Sequence, residues 1–166
     1  MITKATMADL SSIMDIYSYA REFMKTNGNP HQWGDNRPSK ERIVEDVTSG
    51  NSYVIMENEK VCGVFVFIVG EDPTYKVIED GRWPNEAKYG TIHRIASNGK
   101  VKGVFNKCIE YCSSKCDNIR IDTHKDNKIM INLIEKAGFE RCGTIYVNDG
   151  TPRIAYQKTN PGGFFH

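Results

Sequence analysis

The sequence lacks the features that would place the protein in a membrane, outside the cell or on a nucleic acid. No apolar run in the 166 residues reaches the roughly 18 that a membrane-spanning helix needs. The N-terminal segment MITKATMADL has no apolar core of a secretory signal, which predicts a cytoplasmic protein. The formal net charge is only +1, so neither nucleic acid nor a membrane surface is an expected partner.

The cysteines do not indicate a disulfide framework. The five cysteines are an odd number, which without a secretory signal predicts reduced thiols. Cys108, Cys112 and Cys116 recur every fourth residue on a predicted helix, so a metal site is one alternative. No histidine stands at a zinc-like offset, and the other core positions of that helix are apolar. We therefore predict cysteines buried in the core and no bound metal.

The composition is that of one globular domain. Apolar residues make up 39% and charged residues 26% of a chain too short for two comfortable domains. We predict a domain over residues 1–158 and a loose tail over 159–166. Hydrophobic periodicity predicts helices that begin near Thr6 and Pro38 and helices over 101–115 and 126–137. It predicts strands over 2–5, 52–57, 61–69, 90–96, 118–123, 143–147 and 153–157.

The order of these elements predicts an α/β (α+β) fold with one mixed sheet. The strands at 52–57 and 61–69 form an antiparallel hairpin, and the second is apolar on both faces, which favours a central position. The strand at 90–96, the helix at 101–115 and the strand at 118–123 form a βαβ crossover. Those two strands are therefore expected to be parallel.

The loop between strand 90–96 and the next helix has the composition of an anion site. Gly99 and Gly103 allow the backbone to approach a ligand closely, and Lys100 and Lys102 add positive charge. The first N–H groups of the helix have no partner within it and suit a phosphate. A P-loop would need Gly-Lys-Ser/Thr here, and a Rossmann fingerprint would need G-x-G-x-x-G; both are absent. The alternative is an ordinary strand-to-helix turn with solvated lysines.

The residues beyond this loop decide between the two interpretations. Asn127 opens a helix that ends Glu135-Lys136-Ala137-Gly138-Phe139. This half of the chain resembles the GNAT superfamily of N-acetyltransferases, whose loop pattern is Gln/Arg-x-x-Gly-x-Gly/Ala and whose later signature is an Asn opening a helix that ends Glu-Lys-x-Gly-Phe. Lys100, Gly103 and Phe105 take the three loop positions, although Phe105 replaces a small residue. The resemblance covers about residues 2–157.

The resemblance implies a fold and a cofactor. The fold is a single domain with a mixed sheet of about seven strands, flanked by about four helices, in which two parallel strands splay apart in a V. The cofactor is acetyl-CoA, with its pantetheine arm along the first of those strands and its pyrophosphate on the loop. The implied cofactor-binding residues are Ile95, Ala96, Ser97, Lys100, Val101, Lys102, Gly103, Val104, Phe105 and Asn127.

The resemblance also implies direct attack of an amine on the thioester, assisted by a base and an acid. Ile134 stands where the family commonly has the tyrosine that protonates the thiolate. The catalytic candidates are therefore His93, His124 and Tyr146. Asp122 is a weaker alternative for the base and Tyr156 an alternative for the acid.

Two irregular segments are expected to form the acceptor pocket. Trp33 lies in the loop after the first helix, and Tyr75 and Trp83 lie in the segment 71–88. The alternative is that both tryptophans cap the core. The predicted activity is acetyl transfer to a primary amine of a small molecule or peptide, and a homodimer is an expected assembly. The competing functions are a CoA-binding regulatory module without catalysis and a structural partner domain without a ligand.

Overall fold

The computed structural model describes residues 1–160 and confirms the predicted fold class. Within these residues seven strands form one sheet, with four helices and two short 3-10 turns at Met7–Asp9 and Pro73–Tyr75. The helices are α1 Leu10–Thr26, α2 Lys40–Thr48, α3 Val104–Ser113 and α4 Lys128–Lys136. The strands are β1 Ile2–Lys4, β2 Ser52–Glu57, β3 Lys60–Val69, β4 Gly90–Ser97, β5 Asn118–Thr123, β6 Glu140–Tyr146 and β7 Pro152–Thr159.

The sheet is mixed, as predicted. Its strand order is β1-β2-β3-β4-β5-β7-β6, which gives the apolar β3 the interior position expected of it. The hairpins β2–β3 and β6–β7 are antiparallel, and β4 and β5 are parallel. The parallel ladder pairs Gly90 with Ile119 and Thr91 with Arg120, at the start of β4, which is the pairing expected of two strands that diverge.

The first compact unit comprises residues 1–67 and 93–108. Its core joins Ile13 and Tyr17 of α1 and Ile43 of α2 to Val54 and Val64 of the sheet. Neighbouring residues of a strand point to opposite faces, so the residues beside Val54 and Val64 face away from α1 and α2. Helices α1 and α2 therefore cover one face of this unit's strands.

Gly63 makes room for the start of α3 on the other face of β3. A Cβ at Gly63 would lie 2.8 Å from Cγ1 of Val104 and 3.3 Å from Cδ1 of Ile55. Both neighbours are buried, so one of them would have to shift. Gly63→Ala is expected to destabilise the protein by about 1–3 kcal/mol in urea unfolding, the usual cost of overpacking. Val104→Ala removes the Cγ1 atom, so the double variant should lose less than the two single losses added; additive losses would contradict this packing.

Within the described residues, the second compact unit comprises residues 68–92 and 109–160. Ala155 and Tyr156 of β7 point to opposite faces. Tyr156 donates a hydrogen bond to Glu135 of α4, whereas Ala155 packs with Tyr75, Tyr89 and Ile145. One face of this unit's strands is therefore covered by α4 and the other by the irregular segment that precedes β4.

Helix α3 is shorter than predicted. It begins at Val104, not near Val101, because Gly103 takes a left-handed φ of 79° that a helix cannot contain. It ends at Ser113, not Lys115. Similarly, α4 covers Lys128–Lys136 because Asn127 is its N-cap, and α2 begins at Lys40 because the side chain of Ser39 caps it. The predicted helices therefore extended beyond the observed helices by up to three residues at an end.

The strands near the C-terminus are longer than predicted. β6 already begins at Glu140, with a register shift between Arg141 and Gly143 that hid the alternation. β7 includes Thr159, whose hydroxyl donates to Oδ1 of Asn118 at 3.0 Å, so the loose tail does not begin at 159. The rest of the predicted tail, residues 161–166, lies outside the described residues.

Candidate active site

The loop that joins β4 to α3 is held by its own side chains. The hydroxyl of Ser97 accepts a hydrogen bond from the backbone N–H of Gly99 at 3.0 Å. The side-chain oxygen of Asn98 accepts from the N–H of Lys100, also at 3.0 Å. Asn98 is in turn tied to β3, because its own N–H donates to the carbonyl of Cys62 at 3.1 Å. These short-range bonds are typical of side-chain turns and give the loop a defined shape.

At the end of this loop, the first backbone N–H groups of α3 have no hydrogen-bond partner within the helix. In the first backbone hydrogen bond of α3, the N–H of Lys107 donates to the carbonyl of Gly103 at 3.0 Å. The amides before Lys107 therefore have no carbonyl to meet within the helix, and the helix dipole adds positive potential there. A Cβ built on Gly103 would meet nothing within 4 Å, and Lys100 and Lys102 are exposed. The arrangement fits a phosphate group.

Phe105 and Val104 contribute backbone to this site, not exposed side chains. Each is only 6% exposed. Phe105 was the departure from the family pattern, where a small residue is usual. Because its ring is buried in the protein, it does not occupy the space in front of the loop.

The middle of β4 contains a strained residue. Arg94 has a φ of +48° although it carries a full side chain, which costs about 1–2 kcal/mol for a residue other than glycine. The hydroxyl of Tyr17 in α1 donates to the carbonyl of Arg94 at 2.7 Å. Nε and Nη2 of Arg94 donate to the two carboxylate oxygens of Asp46 in α2, at 2.8 and 2.7 Å. Strain of this kind is retained where surrounding contacts impose it, often at functional sites.

Tyr17 and Asp46 are both buried, with 1% and 5% of their surface exposed. Burial raises the pKa of Tyr17 well above its usual value, so its hydroxyl keeps its proton and acts as a donor. Asp46 shares the buried face of α2 with Ile43 and Val47. A carboxylate on an otherwise apolar helix face was the one sequence signal that could have revealed this cluster, and sequence reasoning missed it. The backbone angle of Arg94 leaves no such signal.

The predicted residues of the first unit lie near this cluster. His93 directly precedes Arg94 on β4 and is half-buried, and Ile95–Ser97 follow it. Trp33 packs its ring edge-on against Tyr17, with 5.5 Å between ring centroids. The structure therefore connects the predicted acceptor loop to β4 through Tyr17.

In the second unit, Tyr75 and Trp83 belong to one aromatic cluster. Tyr75 is 2% exposed and donates its hydroxyl proton to Oδ2 of Asp122 at 2.6 Å. Burial, with the charge of Asp122 second, raises its pKa well above the usual value. The indole N–H of Trp83 donates to the carbonyl of Tyr75, and the guanidinium of Arg120 lies 3.8 Å from the ring centres of both Trp83 and Tyr89. Trp83 is half-buried, so it has more surface to offer a ligand than Tyr75.

His124 and Asn127 close the turn between β5 and α4. Nδ1 of His124 accepts the N–H of Asp126 at 3.0 Å, which in a neutral ring leaves the proton on Nε2. A base role at Nδ1 would require giving up this bond. The side-chain oxygen of Asn127 accepts the N–H of Met130 at 3.1 Å, so Asn127 is the N-cap of α4. Its predicted contact with the cofactor stays a prediction.

The two candidate tyrosines have different surroundings. Tyr146 is 42% exposed and donates to Oε1 of Glu79 at 3.2 Å, a bond that raises its pKa. Tyr156 is fully buried, and burial together with its bond to Glu135 raises its pKa to about 12. Ile134, at the position of the usual acid, is also fully buried. Of the two tyrosines, Tyr146 therefore has the hydroxyl that is more accessible to a ligand.

The cysteines do not pair with one another in the structure. None of the five cysteines forms a disulfide; Cys108 and Cys112 are fully buried in α3, and Cys116 is half-buried. Across residues 1–160 no group of histidine, cysteine and carboxylate side chains is arranged to hold a metal ion. No helix in the same range is long and apolar enough to cross a bilayer.

Solved structures share this architecture over nearly the whole chain. An acetyltransferase of the GNAT family from Streptococcus agalactiae is 27% identical, with a TM-score of 0.88 over 96% of this chain and 95% of the other. A Staphylococcus aureus protein provisionally assigned as an acetyltransferase is 28% identical, with a TM-score of 0.68 over 96% and 98%. The yncA protein of Salmonella typhimurium, also provisionally an acetyltransferase, was solved with its cofactor acetyl-CoA; it is 16% identical, with a TM-score of 0.62 over 96% and 92%. No protein-family model and no curated protein matches the sequence.

The architecture of the described residues is that of solved acetyltransferases of the GNAT family. The similarity to the two structures at 27% and 28% identity confirms the resemblance seen in the sequence. The chain is thus similar, in fold and over nearly its whole length, to acetyltransferases of the GNAT family.

Proposed function

We propose that the protein transfers the acetyl group of acetyl-CoA to a primary amine of a small molecule or peptide. The observation that carries this proposal is the β4–α3 loop, where the first amides of α3 have no carbonyl partner within the helix, Lys100 and Lys102 are exposed, and a Cβ on Gly103 would meet nothing within 4 Å. The presence of acetyl-CoA in the structure of yncA supports the choice of cofactor. Phosphate groups carry the charge that this loop complements.

Two segments of the first unit have assigned roles in the proposed reaction. Acetyl-CoA supplies an activated thioester, which the amine attacks directly. Residues 100–105 hold the pyrophosphate through backbone N–H groups and lysine charge. Ile95–Ser97 bind the pantetheine arm along β4.

Proton transfer is assigned to His93, His124 and Tyr146. His93 is the preferred base, because it lies on β4 and histidine is the side chain that most often serves as a general base. His124 would first have to release the N–H of Asp126. Tyr146 has an accessible hydroxyl for the role of acid. A thiol has a reference pKa of about 8.5, so the thiolate can also leave without a proton, and Ile134 does not prevent turnover.

Trp33 and Trp83 are each a candidate contact for the acceptor. Trp33 contacts Tyr17, and Trp83 belongs to the aromatic cluster of the second unit. We also propose a cytoplasmic location, supported by five cysteines of which none forms a disulfide. The expected homodimer is tested by sedimentation velocity.

A CoA-binding regulatory module is the second candidate function. The observation that favours it is Ile134, a buried aliphatic residue at the position of the usual acid. In this case the protein would bind CoA and acetyl-CoA without turning either over.

Two measurements separate these functions. Thermal unfolding is followed with CoA, acetyl-CoA, ATP and NAD; stabilisation by the first two alone is expected, since ligand binding raises the apparent stability. Release of the CoA thiol is then measured over a panel of amines and peptides. Turnover supports the transferase, and stabilisation without turnover supports the regulatory module. If neither CoA compound stabilises the protein, both proposals are wrong.

A further inference from the structure

The strained residue Arg94 is held from two sides by side chains that the proposed chemistry does not use. Tyr17 of α1 holds its backbone carbonyl with a hydrogen bond of 2.7 Å. Asp46 of α2 holds its guanidinium with two bonds of 2.7 and 2.8 Å. A left-handed residue in the middle of a strand is unfavourable unless its surroundings impose it. Tyr17 and Asp46, two buried polar residues from two helices, therefore both stabilise the backbone conformation of Arg94.

The position of Arg94 on β4 gives this conformation a consequence. A residue with positive φ inside a strand breaks the regular alternation and redirects the side chains and amides on either side. Burial changes at the same place: Ile92 is buried, whereas His93, Arg94 and Ile95 are all half-buried. His93 is the preferred base, and Ile95 opens the segment assigned to the pantetheine arm. The direction of both depends on the backbone angles of Arg94.

We infer that Tyr17 and Asp46 are positioning residues for acetyl transfer, which act by holding Arg94 in its left-handed conformation. This inference rests on the proposed function. Neither residue touches the reacting groups; each acts through Arg94 on the segment His93–Ser97. Binding of the pyrophosphate is assigned to the loop after β4, whereas the side-chain hydrogen bonds of both residues go to Arg94. The effect is therefore expected in kcat more than in KM for acetyl-CoA.

Arg94→Gly and Arg94→Ala form the decisive pair of variants. Both remove the guanidinium and leave Asp46 without its partner, so they share that loss. Glycine accepts a positive φ freely, whereas alanine disfavours it. If the conformation of residue 94 matters for transfer, kcat of Arg94→Gly should exceed that of Arg94→Ala by roughly fivefold to thirtyfold, with similar KM for acetyl-CoA. The pair is also made with Asp46→Asn, so that an unpaired buried carboxylate does not prevent folding.

Tyr17→Phe tests the second contact. It removes one hydroxyl from a buried ring and should lower kcat by roughly tenfold or more, since small displacements in an active site are costly. Tyr89→Phe is the matched control, because Tyr89 is also buried and its hydroxyl accepts the N–H of Asp72 at 2.7 Å. We expect a loss of stability in both variants and a loss of kcat in Tyr17→Phe alone.

The outcomes distinguish the inference from the function on which it rests. The wild-type protein is measured first, and no turnover with any amine would overturn the proposed function and the inference together. With an active wild type, equal kcat for Arg94→Gly and Arg94→Ala in both backgrounds would overturn the inference alone. Equal kcat for Tyr17→Phe and Tyr89→Phe would show that the Tyr17 hydroxyl is merely structural. A glycine variant more active than the alanine variant supports the positioning role.

Discussion

Replacing both Lys100 and Lys102 by glutamate is expected to weaken the binding of CoA by roughly a hundredfold, which is about 2.7 kcal/mol. Both side chains are exposed on the loop in front of α3, where each can reach a phosphate. An exposed charge contact contributes up to about 1 kcal/mol, and its reversal adds repulsion of similar size. The dissociation constant is measured by isothermal titration calorimetry at low and high salt. The wild-type affinity should fall as salt is added, because exposed charges are screened.

The control is a variant with the same change in net charge at another place. Lys76 and Lys88 are also exposed, and they lie in the irregular segment of the second unit. Lys76→Glu/Lys88→Glu should leave CoA affinity within about threefold of wild type, since only general charge changes. Equal weakening in both double variants would show that CoA responds to overall charge and would remove the loop as its binding site.

The sequence predicted the architecture well because strong local signals and tertiary structure agree in this chain. β3 is apolar on both faces and takes an interior position in the sheet. Asn127 opens α4 as its N-cap, and Gly138 follows the helix with the positive φ of a C-terminal cap. Where one residue type serves both the local element and the fold, pattern reasoning succeeds.

Helix ends were less predictable because the loop residues next to a helix can be of types that also occur within helices. Val101 and Lys102 are acceptable helix residues, and only the left-handed φ of Gly103 separates them from α3. That boundary matters for function, because it places the free amides after Gly103. The predicted site lies in the same segment, but its geometry depends on where the helix begins.

The cluster around Arg94 could not be predicted because it depends on long-range contacts. Tyr17 and Arg94 are 77 positions apart in the sequence, and Asp46 and Arg94 are 48 apart. In the sequence, Tyr17 stands at the helical spacing of the apolar positions of α1, and this spacing predicts an ordinary core residue. Its hydroxyl acquires a role only when β4 is packed beneath α1. Backbone strain is a property of the folded chain, which periodicity does not report.

A larger loss of stability is expected at the point where the irregular segment before β4 crosses β6. A Cβ on Gly81 would lie 1.9 Å from the carbonyl oxygen of Cys142, and a Cβ on Gly143 would lie 2.4 Å from that of Glu79. Both obstacles are backbone atoms, which cannot turn aside as a side chain does. Glu79 and Thr144 are also joined by two backbone hydrogen bonds of 2.8 and 2.9 Å, which keep the two segments together.

Gly81→Ala should therefore cost about 3 kcal/mol or more, at the upper end of what overpacking causes. Urea unfolding is followed by circular dichroism and by the fluorescence of Trp33 and Trp83, the two tryptophans of the chain. Gly70→Ala is the control: Gly70 also has a positive φ, of 127°, but a Cβ there meets nothing within 4 Å. Its loss should reflect backbone strain alone, about 1–2 kcal/mol. Equal losses at Gly70 and Gly81 would mean that strain, and not the close crossing of two backbones, requires glycine at Gly81.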